Sequence, residues 1–431
     1  MAASSKQWKQ ALAEGHLDAA LAGLYGNRAL GQRARYIETL ERFERAFGAQ
    51  SGLLCVTAPG RTEIGGNHTD HNHGKVLTGS VNLDILAFVA PASEPVVRIQ
   101  SKGHPENRVL LSELRPAAKE EGHSNALIRG ILARLSELNY KIGGLMAVTT
   151  SDVVSGSGLS SSAAFEVLVG SLVSALYNGG AIDGQTLAKA GQYAENVYFK
   201  KPCWLMDQMG SACGGLIAID FADPNNPSVE KLDYDFDRSG HALCIAMAGG
   251  SHADLTDCYA AIPAEMKSVA AALGVSVLRQ ADCAALMSAL PSLRGATGDR
   301  ALLRALHFYN ENKRVDGQVA ALKQNDFGRF LELINASGRS SFMYNQNITT
   351  FANPKQQEMA LALAVSEQLL GGRGATRIHG GGFAGTVQAF VPFDLLNGYR
   401  AGMEALLGEG NCLHLSIRKQ GATVWDLPRL R

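Results

Sequence analysis

Three short stretches of this chain concentrate residues able to do chemistry. In the run Val153-Val154-Ser155-Gly156-Ser157-Gly158-Leu159-Ser160-Ser161-Ser162-Ala163-Ala164, small residues lead straight into an apolar helical pattern carried by Phe165, Val167, Leu168, Leu172 and Leu176. Glycine lets a backbone approach an anion closely, hydroxyls supply donors, and a helix starting here aims unpaired N–H groups at the same point. That combination suits a polyphosphate. A Gly/Ser linker that merely caps a core helix is the plainer alternative. The run is not a Walker A loop, because its glycines precede Leu-Ser-Ser-Ser and not Gly-Lys-Ser/Thr.

The second stretch, Gly60-Arg61-Thr62-Glu63-Ile64-Gly65-Gly66-Asn67-His68-Thr69-Asp70-His71-Asn72-His73-Gly74, reads as a loop packed with hydrogen-bonding groups. Carboxylate, imidazole and amide each bind vicinal hydroxyls, so it could hold a polyhydroxyl ligand. His68, Asp70, His71 and His73 could instead ligate a metal, although their spacing matches no standard zinc signature, or form a plain polar loop. The third stretch is Arg377-Ile378-His379-Gly380-Gly381-Gly382-Phe383-Ala384-Gly385. It formally spells GxGxxG, but it precedes a strand and not a helix, so it fails the test for a dinucleotide fold and reads as a tight turn beside another backbone. Asp326-Phe327-Gly328 spells a kinase triplet without its usual companions and reads as a chance match on a helical segment.

Mixed elements must position these stretches. Helical spacing marks residues 34–47, 127–139 and 186–199, the last stopping before Lys200-Lys201-Pro202. Strand-like runs occupy 53–56, 81–91, 96–100, 145–150, 242–248 and 386–391. Phe221–Ser228 is the best linker or turn in the middle of the chain. The interrupted order predicts an α+β protein, not a strict βαβ array.

At 431 residues the chain is comfortable as two domains, and 46% hydrophobic against 19% charged residues makes it globular. Forty lysines and arginines balance forty aspartates and glutamates, so no global field favours nucleic acid or an anionic membrane. Seven cysteines without a CxxC pair do not form a disulfide framework. The expectation is a cytoplasmic chain with a small-molecule partner, no nucleic acid and no membrane, as a monomer or weak oligomer.

Taken together, the three stretches resemble the galactokinase branch of the GHMP small-molecule kinases, in order and spacing, from about residue 50 to 395. Gly60-Arg61 through His68-Thr69-Asp70 is similar to the galactokinase signature, Gly156 to Ala163 to the family's ATP-phosphate loop, and Gly380 to Gly385 to its third motif. Met206-Asp207-Gln208, with Glu195 twelve residues before Asp207, is a fourth match. The resemblance implies a two-domain GHMP kinase fold: an N-terminal mixed-sheet domain (1–222, with residues 1–50 a helical extension) and a C-terminal ferredoxin-like α/β plait (223–431). The active site lies in the cleft between them.

The implied cofactors are ATP and Mg2+, and the implied reaction is transfer of the γ-phosphoryl group to the anomeric hydroxyl of galactose. Such a transfer demands placement and charge neutralisation more than covalent chemistry. By resemblance Asp207 accepts or orients the hydroxyl proton and Arg61 sits beside it. Gly156, Ser157, Gly158, Leu159, Ser160, Ser161 and Ser162 bind ATP, and Ser162 with Glu195 holds magnesium. His68 and Asp70 hold the ring hydroxyls. Tyr259 aligns with a sugar-contacting tyrosine, with a core tyrosine as the other reading.

The chain departs from the pattern at Asn67, where the common signature carries glutamate, and at Trp204, where it carries glycine. Both lie near the sugar by resemblance, which leaves N-acetylgalactosamine or galacturonate as alternative substrates. Ser124-Asn125 replaces an aromatic of some relatives, and an inactive sugar and ATP sensor is the reading from another class. The motifs do not explain the first fifty residues.

Overall fold

The computed structural model describes residues 3–154, 156–249, 255–350, 354–425 and 427; Ser155 of the Gly/Ser run lies outside them. Its strands are β1 (Leu54–Gly65), β2 (Lys75–Pro91), β3 (Val96–Ser101), β4 (Glu106–Leu110), β5 (Leu145–Ser151), β6 (Leu216–Asp220), β7 (Ser228–Leu232), β8 (His241–Gly249), β9 (Ala375–His379), β10 (Gly385–Pro392), β11 (Cys412–Leu415) and β12 (Thr423–Trp425). Its main helices are α1 (Ser5–Ala13), α2 (Asp18–Tyr25), α3 (Gln32–Phe47), α4 (Ser124–Glu137), α5 (Ser161–Tyr177), α6 (Gly184–Tyr193), α7 (Met206–Cys213), α8 (Thr256–Ala272), α9 (Cys283–Thr297), α10 (Asp299–Lys323), α11 (Phe327–Ser340), α12 (Glu358–Leu370) and α13 (Leu396–Leu407).

Eight strands form a mixed sheet in the order β12-β1-β2-β5-β3-β4, with β6 and β7 appended to β2. The long β2 makes this possible: residues 75–79 pair with β6 and residues 85–91 with β5. Among the described strands only β3 and β5 run parallel. The Phe221–Ser228 stretch turns β6 into β7, so β7 and β12, both beyond residue 222, belong to this first sheet.

Successive side chains of a strand point to opposite faces, and β2 is buried on both. Ile85, Ala87 and Val89 pack with Ile128 and Ile131 of α4 and Val167, Leu168 and Leu172 of α5. Leu86, Phe88 and Ala90 pack with Trp8, Tyr25, Tyr36, Leu40 and Phe43 from the first three helices. The N-terminal segment is therefore a cover for one face of the sheet. A buried leucine or phenylalanine contributes about 1.5–3 kcal/mol, so several such residues outweigh the modest helix propensities of α1 and α2.

The second sheet is fully antiparallel, in the order β11-β8-β10-β9. With β8, β9, β10 and β11 counted one to four, that is 4-1-3-2, and α13 connects the last two, giving the expected ferredoxin-like plait with a long helical insertion between β8 and β9. The two sheets share one core: Ile64 and Leu77 cluster with Leu243, Ile245, Phe330, Phe390 and Leu415.

One local expectation is corrected. The stretch after Gly60 is not loop throughout, because β1 continues to Gly65 with register irregularities at Pro59–Arg61 and Glu63–Gly65. Its glycines serve close approach: a Cβ on Gly60 would lie 2.8 Å from the Leu159 carbonyl oxygen. Asp326, of the kinase-like triplet, caps α11 by accepting from the Arg329 N–H at 2.9 Å. All seven cysteines are free thiols, and no described helix is long and apolar enough to cross a membrane.

Candidate active site

Asp207 stands in the first turn of α7, and that helix is fixed against the first sheet by side-chain bonds. Ser211 donates to the Pro59 carbonyl at 2.7 Å, and Ser80 donates to that of Gly210 at 2.6 Å. The result presents Asp207 to Arg61 of β1. Arg61 Nε and Nη2 lie 2.8 and 2.7 Å from Asp207 Oδ1. Asp207 Oδ2 accepts from the Ser160 hydroxyl. Two residues far apart in sequence and the Gly/Ser loop thus meet at one carboxylate.

The loop is shaped by its glycines and by Arg61. Gly156, Gly158 and Ser160 all take left-handed conformations, φ +79°, +70° and +58°. At Gly158 a Cβ would also lie 2.7 Å from Thr386 Oγ1 and 3.0 Å from His379 Nδ1. Ser157 is buried and turns inward, its hydroxyl donating to the Val154 carbonyl at 2.6 Å. Leu159 is buried and its carbonyl accepts the Arg61 N–H at 3.0 Å, while the Gly158 carbonyl accepts from Arg61 Nη1. Ser160 occupies the N-cap of α5 without capping it, since its hydroxyl is turned to Asp207. The helix therefore opens at Ser161 with no side-chain cap on its first N–H groups, the arrangement in which a helix end receives an anion.

Ser162 and Glu195 come together as expected, with the hydroxyl 3.4 Å from Glu195 Oε1. Glu195 sits in a wider π-type turn (Ala194–Phe199) that follows α6, a distortion frequent at functional sites. Gln208 Nε2 bridges Glu195 Oε2 at 3.2 Å and Glu166 Oε2 at 2.9 Å. Burial, then the charge of Glu195, pushes the Glu166 carboxyl well above the ordinary carboxylate range. The donor set fits magnesium: one carboxylate and one hydroxyl, with Glu166 Oε1 and Gln208 Oε1 buried and without hydrogen-bond partners alongside. A hard cation that retains water and takes phosphate oxygens needs no larger protein cage. Among the described residues no three His, Cys, Asp or Glu side chains converge on a metal position.

In the histidine-rich stretch, His68 Nε2 lies 2.8 Å from the Gly381 carbonyl. A carbonyl only accepts, so Nε2 carries the proton and Nδ1 is left as an acceptor. Loss of solvation brings His68 down to about 4, which keeps it neutral. Asp70 begins a short turn beyond the loop, and burial, then the charges of Asp207 and Glu63, raises its carboxyl to about 7. Tyr259 of α8 is half-buried and donates to the Gly382 carbonyl at 2.6 Å, so it braces the third glycine stretch. Trp204 is 40% exposed, packs on His71 with ring centroids 5.8 Å apart, and has Lys267 Nζ 5.9 Å from its ring centre.

Asn67 does not reach the open site. Its side chain is fully buried, with Nδ2 donating to Glu63 Oε1 at 3.1 Å and to the Gly380 carbonyl at 2.7 Å. Its Oδ1 accepts from Asn347 at 2.9 Å and from Ser341 at 3.2 Å. The amide is consumed in holding two loops together, which corrects the expectation that it touches the sugar.

Sequence reasoning missed a buried polar seam that binds β1 to the second sheet. Arg377 pairs with Glu63 at 2.5 Å and donates to the Ile64 carbonyl at 2.6 Å. Gln388 donates to Thr62 Oγ1 at 2.8 Å and to the Glu63 carbonyl at 2.9 Å. Burial holds His379 far below its usual range, and its Nε2 accepts the Glu63 N–H at 3.1 Å, so its Nδ1 proton is donated to Thr386 Oγ1 at 2.9 Å. The available signal was polar residues alternating through apolar strands, as Thr386 and Gln388 do in β10. Glu166, four residues after Ser162 on the same helix face, could also have been found from its spacing.

The family model described as the galactokinase galactose-binding signature matches residues 41–91, and that of the GHMP kinases N terminal domain matches residues 126–215. A galactokinase of Streptomyces coelicolor is 31% identical over 351 residues, 81% of this chain and 87% of that protein. The structure of Lactococcus lactis galactokinase complexed with galactose superimposes with a TM-score of 0.77 at 21% identity, over 90% of this chain and 99% of the other. Methanococcus jannaschii mevalonate kinase shares the fold more distantly, with a TM-score of 0.59 at 15% identity over 84% and 98% of the two chains. The identity to the Streptomyces protein, sustained over most of both sequences, establishes that this chain belongs to the galactokinase family.

Proposed function

We propose that the chain transfers the γ-phosphoryl group of ATP to the anomeric hydroxyl of galactose, giving galactose 1-phosphate and ADP. The observation that carries this reading is Asp207, held between the Arg61 guanidinium and the Ser160 hydroxyl at the mouth of the phosphate loop. The Ser160 oxygen marks a position from which this carboxylate takes a hydroxyl hydrogen bond, and the sugar hydroxyl competes for it. Arg61 offsets charge on the phosphoryl oxygens from the other side. His68 Nδ1 and the Asp70 carboxyl receive ring hydroxyls. The uncapped start of α5 takes the phosphates, with Ser162 and Glu195 holding magnesium, which neutralises phosphate charge when bound.

A second reading, an acceptor carrying a carboxylate such as galacturonate, is favoured by the exposed Trp204 with the Lys267 ammonium over its ring. A coupled ADP-release assay with galactose, N-acetylgalactosamine, galacturonate, arabinose and glucose separates the readings. Galactose is expected to turn over best. Turnover of galacturonate alone transfers the assignment to the second reading, and ATP binding with no turnover of any sugar makes the protein a sensor. Asp207→Asn is expected to lower kcat by about a hundredfold or more, the scale of a lost acid–base group. Wild-type turnover in that variant removes Asp207 from the reaction.

A further inference from the structure

Glu195 has one salt-bridge partner among the described residues, and it is not part of any motif: Lys201, whose Nζ lies 3.4 Å from Glu195 Oε1. The two partners differ sharply in exposure, with the lysine side chain 64% exposed and the glutamate 3%. The backbone that carries the lysine is anchored on both sides. The Lys201 N–H donates to the Glu195 carbonyl at 3.2 Å. Beyond Pro202, the Cys203 N–H donates to Asn196 Oδ1 at 2.7 Å, and the Cys203 carbonyl accepts from Asn196 Nδ2 at 3.2 Å. Lys200, immediately before, holds a left-handed conformation at φ +66° that closes the π-type turn. A strained, pinned backbone therefore delivers a long and flexible side chain to the same carboxylate oxygen that faces Ser162.

That oxygen cannot serve an ammonium and a divalent cation together, because two positive charges a few ångström apart repel strongly in a half-buried site. Arg61 is already committed to Asp207, whereas Lys201 reaches Glu195 on a largely exposed side chain. We propose that Lys201 is a positioning residue that stands in for the metal on Glu195 while the site is empty. When nucleotide and metal load, it yields the carboxylate and turns its charge to the phosphate oxygens. This rests on the reading of Glu195 as the magnesium ligand. The exchange keeps the charge at Glu195 compensated in both states and couples metal entry to nucleotide binding.

The test measures metal affinity apart from turnover. Mn2+ binding to the nucleotide-free enzyme is followed by electron paramagnetic resonance for wild type, Lys201→Met, Lys201→Arg and Glu195→Gln. Removing the competing ammonium is expected to tighten Mn2+ binding in Lys201→Met by about two- to fivefold, the range set by an exposed ion pair. The same variant is expected to raise the KM for ATP by about threefold or more, with kcat little changed, and Lys201→Arg to restore that KM. Unchanged or weaker Mn2+ binding in Lys201→Met overturns the proposal, while the metal reading stands if Glu195→Gln weakens binding. Mn2+ affinity that Glu195→Gln leaves untouched overturns the metal reading and this proposal with it.

Discussion

Asp70 is the residue at which the proposed function and stability pull against each other. Its carboxyl is raised from 3.8 to about 7 in the folded protein, whereas an unfolded aspartate ionises near its ordinary value. Between those limits the unfolded chain has released a proton that the native chain retains, so folding stability falls as pH rises from about 4 towards 7 and stays reduced above it. Asp70→Asn removes that penalty. Its melting temperature is expected to exceed that of wild type clearly at pH 8 and only slightly at pH 4.5, measured by thermal unfolding at both pH values. An equal shift at both, or a loss at pH 8, contradicts the raised carboxyl. Asn67, three positions away, shows where residue-level reading stops. Its departure from the common glutamate was visible, but the four partners that fill its amide come from stretches more than 270 residues further on or from Glu63.

At the level of elements, what spacing reveals is local and what it hides is lateral. The Gly/Ser loop and its helix were legible because glycine, serine and apolar periodicity lie next to one another in the chain. Glu195, Asp207 and Arg61 needed the family resemblance to be chosen from many equivalent charges. The seam between β1 and β9–β10 was hidden, since no local pattern pairs Glu63 with Arg377, 314 residues away. Breaking a buried ion pair by removing one partner costs about 3–5 kcal/mol, because the other charge is stranded. Arg377→Met is therefore expected to lower unfolding free energy by about that amount in a urea titration, and the Glu63→Leu/Arg377→Met pair to recover part of it. A loss in Arg377→Met within experimental error of zero removes the seam from the account of how the two sheets are held.

On the scale of the whole molecule, composition pointed to a large globular chain, and the alternation of elements to α+β. The ferredoxin-like plait followed from the family resemblance, and the two-faced burial of β2 gives the physical reason for the N-terminal helices. An amphipathic helix does not say which surface it will cover, so their partner could not be read from the sequence. The clearest long-range device is Asp84 of β2, fully buried, which accepts from Tyr25 at 2.7 Å, Arg35 at 2.8 Å and Arg418 at 2.6 Å. Burial alone would raise this carboxyl, but the two guanidinium groups hold it below the usual carboxylate range. A chain ended after Leu415 loses Arg418 and β12 together, and is expected to be recovered as aggregate, assayed by size-exclusion chromatography of the soluble fraction. A soluble, compact product argues that the last strand is dispensable. Asp84 and Arg418 are 334 residues apart, and ribosomes build proteins from one end only. During synthesis Tyr25 and Arg35 are therefore made before Asp84, but the third donor to this buried carboxylate follows it by 334 residues, so the centre of the first sheet gains its full set of partners only after the second sheet has been translated.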